Sequence, residues 1–165
     1  MTEDYEIALA TPADVRGIVQ LQEQNLLING GMLSVAFSHA WFEAALADMP
    51  LIVARREGRI VGYLVSGTFT AIGHIPIIQA QQRAYPAGDG AYNYGPICVA
   101  QSERGRGLAG KLFARLRAQL PGREAIAFIR RDNAASLTAH LKMGMREVAD
   151  FTLGGVDYAV LAYKP

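Results

Sequence analysis

Residues 102–113, SERGRGLAGKLF, place three glycines and four charged side chains directly before an apolar helical pattern. Glycine lets a backbone approach a ligand closely, and the N–H groups at the start of a helix favour an anion. Gly105, Gly107 and Gly110 match the dinucleotide-binding pattern G-x-G-x-x-G. Gly105, Gly110 and Lys111 match G-x-x-x-x-G-K, the start of a P-loop. A third pattern, R-x-x-G-x-A, fits the same segment, and all three predict a phosphate-bearing ligand.

The two nucleotide patterns lack their usual surroundings. A P-loop needs Ser or Thr after its lysine to ligate magnesium, and Leu112 stands there instead. A dinucleotide loop normally opens a series of βα units, and only 55 residues follow Gly110. Its acidic ribose ligand should end the next strand, whereas Glu124 begins that strand. Direct binding of NAD(P) would indicate an oxidoreductase, and direct binding of ATP would indicate an NTPase.

Basic charge is concentrated after the start of this loop. Residues 1–102 contain 5 Lys/Arg and 9 Asp/Glu, a net of −4, whereas residues 103–165 contain 11 and 6, a net of +5. This asymmetry favours a small anionic ligand held by the second half of the chain. The net charge of the whole chain, +1, argues against a nucleic-acid partner.

The composition, 51% hydrophobic and 19% charged, predicts one globular domain over residues 1–165. No apolar run approaches the roughly 20 residues of a membrane span. The acidic start MTEDYE lacks the apolar region of a signal peptide. Cys98 is the single cysteine, so an intrachain disulfide is excluded and a cysteine zinc site is disfavoured. We therefore expect a cytoplasmic protein without a membrane partner or a metal.

Hydrophobic periodicity predicts the elements that must position the loop. Alternation predicts strands at 5–10, 51–55, 59–67, 91–100, 123–130, 146–153 and 156–163. Helical spacing predicts helices at 11–29, 38–48, 107–120 and 134–143. Residues 70–90 are the least clear segment, and 77–85 fit a short helix. The order is that of a mixed α/β fold, and the last strand is expected to offer a pairing edge, which would allow a homodimer.

The third glycine pattern fits both the loop and its context. Residues 97–113, ICVAQSERGRGLAGKLF, resemble the acyl-CoA-binding motif of the GNAT superfamily of N-acetyltransferases, R/Q-x-x-G-x-G/A. Arg104, Gly107 and Ala109 occupy its defined positions. Positive side chains are normally disfavoured at a helix N-terminus, and a bound diphosphate would turn that cost into an attraction.

A second segment, NAASLTAHLKMGM (133–145), resembles the second motif of the same family, N-x-x-A-x-x-x-Y-x-K-x-G-F. Asn133, Lys142 and Gly144 match it. Two positions depart from it, because His140 stands where tyrosine is usual and Met145 stands for phenylalanine. The predicted order of elements also resembles the family fold, so the resemblance extends over nearly the whole chain.

The resemblance implies an α/β fold with a mixed, mostly antiparallel sheet flanked by helices. Two parallel strands, 97–99 and 125–129, would splay apart to admit acyl-CoA. The implied reaction moves an acetyl group from acetyl-CoA to a primary amine of a small molecule or peptide, by direct attack in a ternary complex. A backbone N–H near Cys98 or Val99 would stabilise the oxyanion. The implied cosubstrate-binding residues are Ile97, Cys98, Val99, Arg104, Gly105, Arg106, Gly107, Ala109, Gly110 and Asn133.

The reaction needs a proton donor for the CoA thiolate and an acceptor for the proton of the amine. His140 is the candidate donor, because imidazole titrates near about 6.5, although a purely structural role stays equally open. The base has no clear candidate: Glu103, Asp89 and His74 are available, and each is more usual as a surface residue. Cys98, in an apolar strand, is expected to be inert packing.

One further alternative is a non-catalytic acyl-CoA-binding or sensing module on the same fold, which would bind CoA without turning over any amine. Phe37 and Trp41 lie in the region that by resemblance forms the acceptor-side wall, although core packing is the commoner use of such residues. The segments that would contact the acceptor carry the weakest patterns, so the sequence does not identify the amine.

Overall fold

Seven strands and six helices make up the regular structure of the computed structural model, which describes residues 5–31, 33 and 35–165. The strands are β1 (Glu6–Leu9), β2 (Ile52–Arg56), β3 (Arg59–Gly67), β4 (Tyr92–Val99), β5 (Ala125–Arg130), β6 (Arg146–Leu153) and β7 (Val156–Tyr163). The helices are α1 (Val15–Gln24), α2 (His39–Asp48), α3 (Phe69–Ile72), α4 (Pro76–Ala84), α5 (Leu108–Gln119) and α6 (Ala134–Lys142).

The sheet is mixed and mostly antiparallel, as predicted. Its strand order is β1-β2-β3-β4-β5-β7-β6. The strand pairs β1/β2, β2/β3, β5/β7 and β6/β7 are antiparallel, whereas β4 and β5 are parallel. The parallel register pairs Tyr92 with Ala125 and Asn93 with Ile126. β5 continues beyond these pairs to Arg130, where it is still paired with β7.

The first of two compact units comprises Met1–Ser66 and Gly95–Gln119. Its core contains the fully buried side chains of Ile18, Phe42 and Tyr63. The leucines of α5 are also buried at the predicted four-residue spacing, so this helix presents one apolar stripe to the interior. The predicted hairpin of β2 and β3 is confirmed, with Gly58 at φ +77° in its turn.

Helix α1 is shorter than the sequence pattern predicted. It ends at Gln24 instead of near residue 29. The side chain of Asn25 donates to the carbonyl of Leu21 at 2.8 Å, and such a local bond competes with helical continuation. The chain then forms a separate 3-10 turn, Leu27–Asn29, which Gly30 closes at φ +88°.

The second unit comprises Gly67–Tyr94 and Leu120–Pro165. It begins with α3 and α4, and the sequence had indicated only a short helix at 77–85 in this segment. The Thr68 side chain accepts from Ala71 N and so caps α3. Pro76 is the first residue of α4, a position that tolerates proline because its N–H would have no helical partner. The predicted short helix is therefore confirmed as α4, and α3 is an additional helix that the sequence did not indicate.

The expectation that residues 156–163 offer a pairing edge is wrong. β7 lies between β5 and β6, and both neighbours pair with it. Five consecutive residues of β7, from Tyr158 to Ala162, are buried, which is typical of a central strand. By the strand order the sheet ends at β6 and β1. The predicted single domain over residues 1–165 stays a prediction.

Candidate functional site

The glycine loop adopts backbone conformations that require glycine. Gly105 lies at φ +79° and Gly107 at φ +75°, both in the left-handed region that side chains with a Cβ rarely adopt. A Cβ built at either position would meet no atom within 4 Å. The requirement is therefore conformational and does not arise from crowding by the protein, so the loop surface is open to a ligand.

Helix α5 begins directly after this loop. The N–H of Lys111 donates to Gly107 O at 3.2 Å, and the N–H groups of the three residues before Lys111 precede any helical acceptor. Residues 104–107 are exposed. A helix N-terminus with this geometry attracts an anion through its N–H groups and its dipole.

The Arg104 side chain turns away from the helix start. Its Nη2 donates to Asn25 Oδ1 at 2.6 Å, and its Nε lies 3.4 Å from Val99 O. Asn25 is buried and is itself fixed by its bond to Leu21 O. Arg104 therefore ties the loop to the end of α1. The resemblance implied that Arg104 binds the cosubstrate, which stays a prediction; within the protein its side chain braces the loop backbone.

Glu103 is a poor candidate for the general base. Its carboxylate is buried and accepts from Tyr5 Oη at 2.7 Å, Arg56 Nη1 at 2.7 Å and Ser102 Oγ at 3.1 Å. The hydrogen bonds from Tyr5 and Arg56 lower the pKa of Glu103 to about 2. A carboxylate so strongly held in its ionised form has little affinity for a substrate proton. Arg106 Nη1 lies 3.7 Å from the same carboxylate.

The end of β4 presents backbone groups alternately to its two sides. The N–H of Ala100 donates to Val61 O on β3 at 2.8 Å. Because strand residues alternate, the N–H of Cys98 faces the same way and that of Val99 faces the opposite way. Burial raises the pKa of the Cys98 thiol to about 12, so the thiol is neutral and unreactive, as the sequence predicted. Val99 is thus the better placed of the two predicted oxyanion donors.

His140 is buried in the second unit with both ring nitrogens engaged. Nδ1 lies 2.7 Å from the Ser136 carbonyl oxygen and 3.2 Å from Ser136 Oγ, and Nε2 lies 2.9 Å from Tyr94 Oη. Burial lowers the pKa of His140 below its ordinary value of 6.5, so the ring is neutral near pH 7. The carbonyl of Ser136 can only accept, so Nδ1 carries the single ring proton and Nε2 accepts from Tyr94.

Tyr94 is the functional candidate that sequence reasoning missed. It stands in AYNYGP, where no spacing rule connects it to His140, 46 positions away. Asn133, predicted to bind the cosubstrate, is the N-cap of α6, and its Oδ1 accepts from Ser136 N at 3.3 Å. Its cap fixes the first turn of the helix that carries His140.

The remaining candidate residues belong neither to the glycine loop nor to the surroundings of His140. His74 and Asp89, which the sequence offered as possible bases, are exposed. Phe37 and Trp41 stack on each other with ring centroids 3.9 Å apart, packed against the core of the first unit. Among residues 5–31, 33 and 35–165, no group of three or more His, Cys, Asp or Glu side chains is arranged to hold a metal ion.

Solved acetyltransferases share the fold of this chain. An N-acetyltransferase from Staphylococcus aureus Mu50 is 22% identical, with a TM-score of 0.73 and 98% of both chains covered. A ribosomal-protein-alanine N-acetyltransferase from Brucella melitensis is 23% identical, with a TM-score of 0.70 and coverage of 97% and 99%. A phosphinothricin acetyltransferase from Sinorhizobium meliloti, in complex with AcCoA, is 20% identical, with a TM-score of 0.74 and coverage of 97% and 88%.

The family is identified from the sequence itself. No curated protein matches it. None of the helices in the described residues is long and apolar enough to cross a membrane. The family model for acetyltransferases of the GNAT type matches residues 21–145, a span that contains the glycine loop, α5 and the whole of α6. With this match over most of its length, and with the mixed sheet and the left-handed glycines before α5, the chain belongs to the acetyltransferase (GNAT) family.

Proposed function

We propose that this protein transfers an acetyl group from acetyl-CoA to the primary amine of a small molecule or peptide, by direct attack of the amine on the thioester. The observation that carries the proposal is the start of α5. There, Gly105 and Gly107 hold left-handed conformations within the family's acyl-CoA motif, and their surroundings are open. The S. meliloti structure, in complex with AcCoA, has the same fold and supports this choice of cosubstrate.

The diphosphate of acetyl-CoA would bind to backbone N–H groups of the loop 105–110. Backbone donors need a fixed loop, and the bonds from Arg104 to Asn25 and Val99 provide that fixation from the protein side. Arg106 would add positive charge near the ligand, and the α5 dipole acts in the same direction. The arginine at the motif's first position would therefore support the binding of the phosphates by holding the loop backbone in place.

The reacting groups would be served by the strand β4 and by His140. The N–H of Val99, which points away from β3, would donate to the thioester carbonyl as negative charge develops on its oxygen. In other enzymes such a donor contributes roughly 2.7–4 kcal/mol to transition-state stabilisation. By the family resemblance, Ile97 and Val99 would pair with the pantetheine, Asn133 would cap α6, and His140 would take part in proton exchange with the departing thiolate.

The first experiment is a binding comparison by calorimetry and thermal melting with acetyl-CoA, CoA, ATP and NADPH. A ligand at about 100 times its dissociation constant adds about 2.7 kcal/mol of stability, so binding is readily visible in the melting midpoint. We expect stabilisation by acetyl-CoA and CoA alone. Stabilisation by NADPH or ATP instead would overturn the proposal in favour of the nucleotide patterns.

The second experiment measures catalysis by release of the CoA thiol, using a panel of primary amines. The panel contains polyamines, amino acids, aminoglycosides and peptides with a free N-terminus or a lysine. We expect at least one of them to support thiol release that depends on the protein. Tight CoA binding without turnover on any member would contradict acetyl transfer and establish a non-catalytic acyl-CoA-binding module.

A further inference from the structure

A tyrosine outside both sequence motifs completes the surroundings of His140. Tyr94 Oη lies 2.9 Å from His140 Nε2, and the two rings meet edge to face with centroids 5.3 Å apart. Each residue is 3% exposed. We propose, on the basis of the proposed function, that Tyr94 exchanges protons with the amine and the thiolate, and that His140 acts through Tyr94 as its proton acceptor. Tyr94 would be the catalytic residue, and His140 would position Tyr94 and accept its proton.

The hydrogen bonds fix the direction in which the first proton moves. The single proton of the neutral ring is on Nδ1, where the Ser136 carbonyl accepts it at 2.7 Å. Nε2 therefore carries a lone pair, and Tyr94 O–H donates to it. In this state His140 can receive a proton from Tyr94 but has none to give on that side. The pair starts the cycle as a base, which is the role for which the sequence offered no clear candidate.

The position of Tyr94 along β4 suits contact with the reacting group. The parallel ladder with β5 pairs Tyr92 with Ala125 and Asn93 with Ile126, and Tyr94 is the next residue of the strand. Tyr94 therefore lies directly after the last paired residue of β4 in this ladder. The pair is also buried, so a proton passed along it is exchanged with the bound ligand in preference to bulk water.

The proton and electron count closes over one turnover. The neutral amine attacks the thioester carbon, forming the N–C bond and a tetrahedral intermediate with a positive nitrogen. Tyr94 oxygen takes one proton from that nitrogen while its own proton moves to Nε2 of His140, which becomes an imidazolium whose Nδ1–H still bonds to Ser136 O. The C–S bond then breaks, and the thiolate receives a proton from Tyr94 as His140 returns one to Tyr94. The products are the amide and CoA thiol, and the resting pair is restored.

Kinetics of matched variants test the catalytic part of this proposal. Tyr94→Phe and His140→Gln should each lower kcat by about 100-fold or more, because general acid–base groups contribute about 10²- to 10⁴-fold. Acetyl-CoA affinity should not change in either variant. Tyr92→Phe is the control, since it removes a buried phenol from the same strand. A kcat of Tyr94→Phe equal to that of Tyr92→Phe would overturn the role of Tyr94.

Nitrogen NMR of the histidine rings gives a readout that needs no acceptor amine. The chain has three histidines, so the spectrum of His140→Gln assigns the His140 signals by difference. We expect the Nδ1–H form in the wild-type protein, a changed Nε2 signal in Tyr94→Phe, and a further Nε2 shift when acetyl-CoA is added to the wild type. If the His140 signals do not change when acetyl-CoA binds, the role of the Tyr94–His140 pair is refuted and the proposed function is not. Failure of acetyl-CoA to bind at all would overturn the proposed function as well.

Discussion

Gly107→Ala separates the conformational role of the glycine loop from its role in ligand binding, because the chain offers a matched control. Gly107 lies at φ +75° and Gly122 at φ +74°, and a Cβ at either position would meet nothing within 4 Å. Both positions are exposed. Alanine should therefore impose the same backbone cost at both, and only Gly107 should affect the cosubstrate.

The magnitudes follow from the backbone geometry. A left-handed conformation costs an L-residue about 1–2 kcal/mol, and the lower entropy of the unfolded alanine chain offsets about 0.4–1 kcal/mol of it. The net loss of about 1 kcal/mol should lower the melting midpoint by about 2–4 °C for a chain of this size. At Gly107, either the added Cβ or the relaxed loop would also remove one hydrogen bond from a backbone N–H to a charged phosphate. Such a hydrogen bond is worth about 1.5–3 kcal/mol. Acetyl-CoA should then bind about 10- to 100-fold more weakly.

Thermal melts and calorimetric titration of both variants with CoA and acetyl-CoA measure the two effects separately. We expect equal losses of stability in the two variants, with weakened binding in Gly107→Ala alone. Equal affinity for CoA in both variants would refute the assignment of the loop as the diphosphate site. Unchanged stability in both would refute the backbone argument.

Three further substitutions test neighbouring parts of the molecule. Because the pKa of Glu103 is about 2 in the folded chain, below its ordinary 4.5, its carboxylate stabilises the fold above about pH 5 and loses that effect as the pH falls toward 2. Glu103→Gln should therefore lower the melting midpoint at pH 7, and melts in acid should show the gap to wild type closing. Cys98, whose thiol pKa is about 12, should resist a thiol reagent at pH 8 until guanidinium unfolds the chain, and Cys98→Ala should keep its turnover. Asn25→Ala removes the side-chain acceptor of the exposed Arg104 guanidinium. Urea unfolding should show a loss of about 1–2 kcal/mol of stability, and CoA should bind more weakly. Unaltered stability would contradict the bracing role.

Periodicity predicted the strands and the long helices because burial imposes it directly. The leucines of α5 occur every fourth residue and are buried, and the alternation in 146–153 produced β6. The misjudged segments depend on local chemistry that a hydrophobic pattern does not contain. Asn25 ended α1 through a side-chain bond, and α3, which the sequence did not indicate, begins at the side-chain cap of Thr68. The edge assigned to residues 156–163 failed because strand order is set by pairing partners elsewhere in the chain.

The candidate site divides in the same way. The glycine loop is a contiguous motif, so its residue types and the resulting positive φ values could be anticipated from the sequence. The surroundings of Glu103 could not, because its partners Tyr5 and Arg56 are distant along the chain and meet it only through the fold. The same holds for Arg104, whose charge suggested a phosphate ligand and whose observed partner is the amide of Asn25.

The histidine at position 140 gains a meaning only together with Tyr94. In sequence it departs from a motif that usually has tyrosine on this helix, and the departure alone suggests a lost phenol. In the structure a phenol lies beside His140, because Tyr94 of β4 is hydrogen-bonded to its imidazole. The ring also carries its proton on the nitrogen that faces Ser136, which leaves the other nitrogen as a base. The pair therefore combines a hydroxyl with a proton acceptor, and for that reason it is a more informative target than His140 by itself.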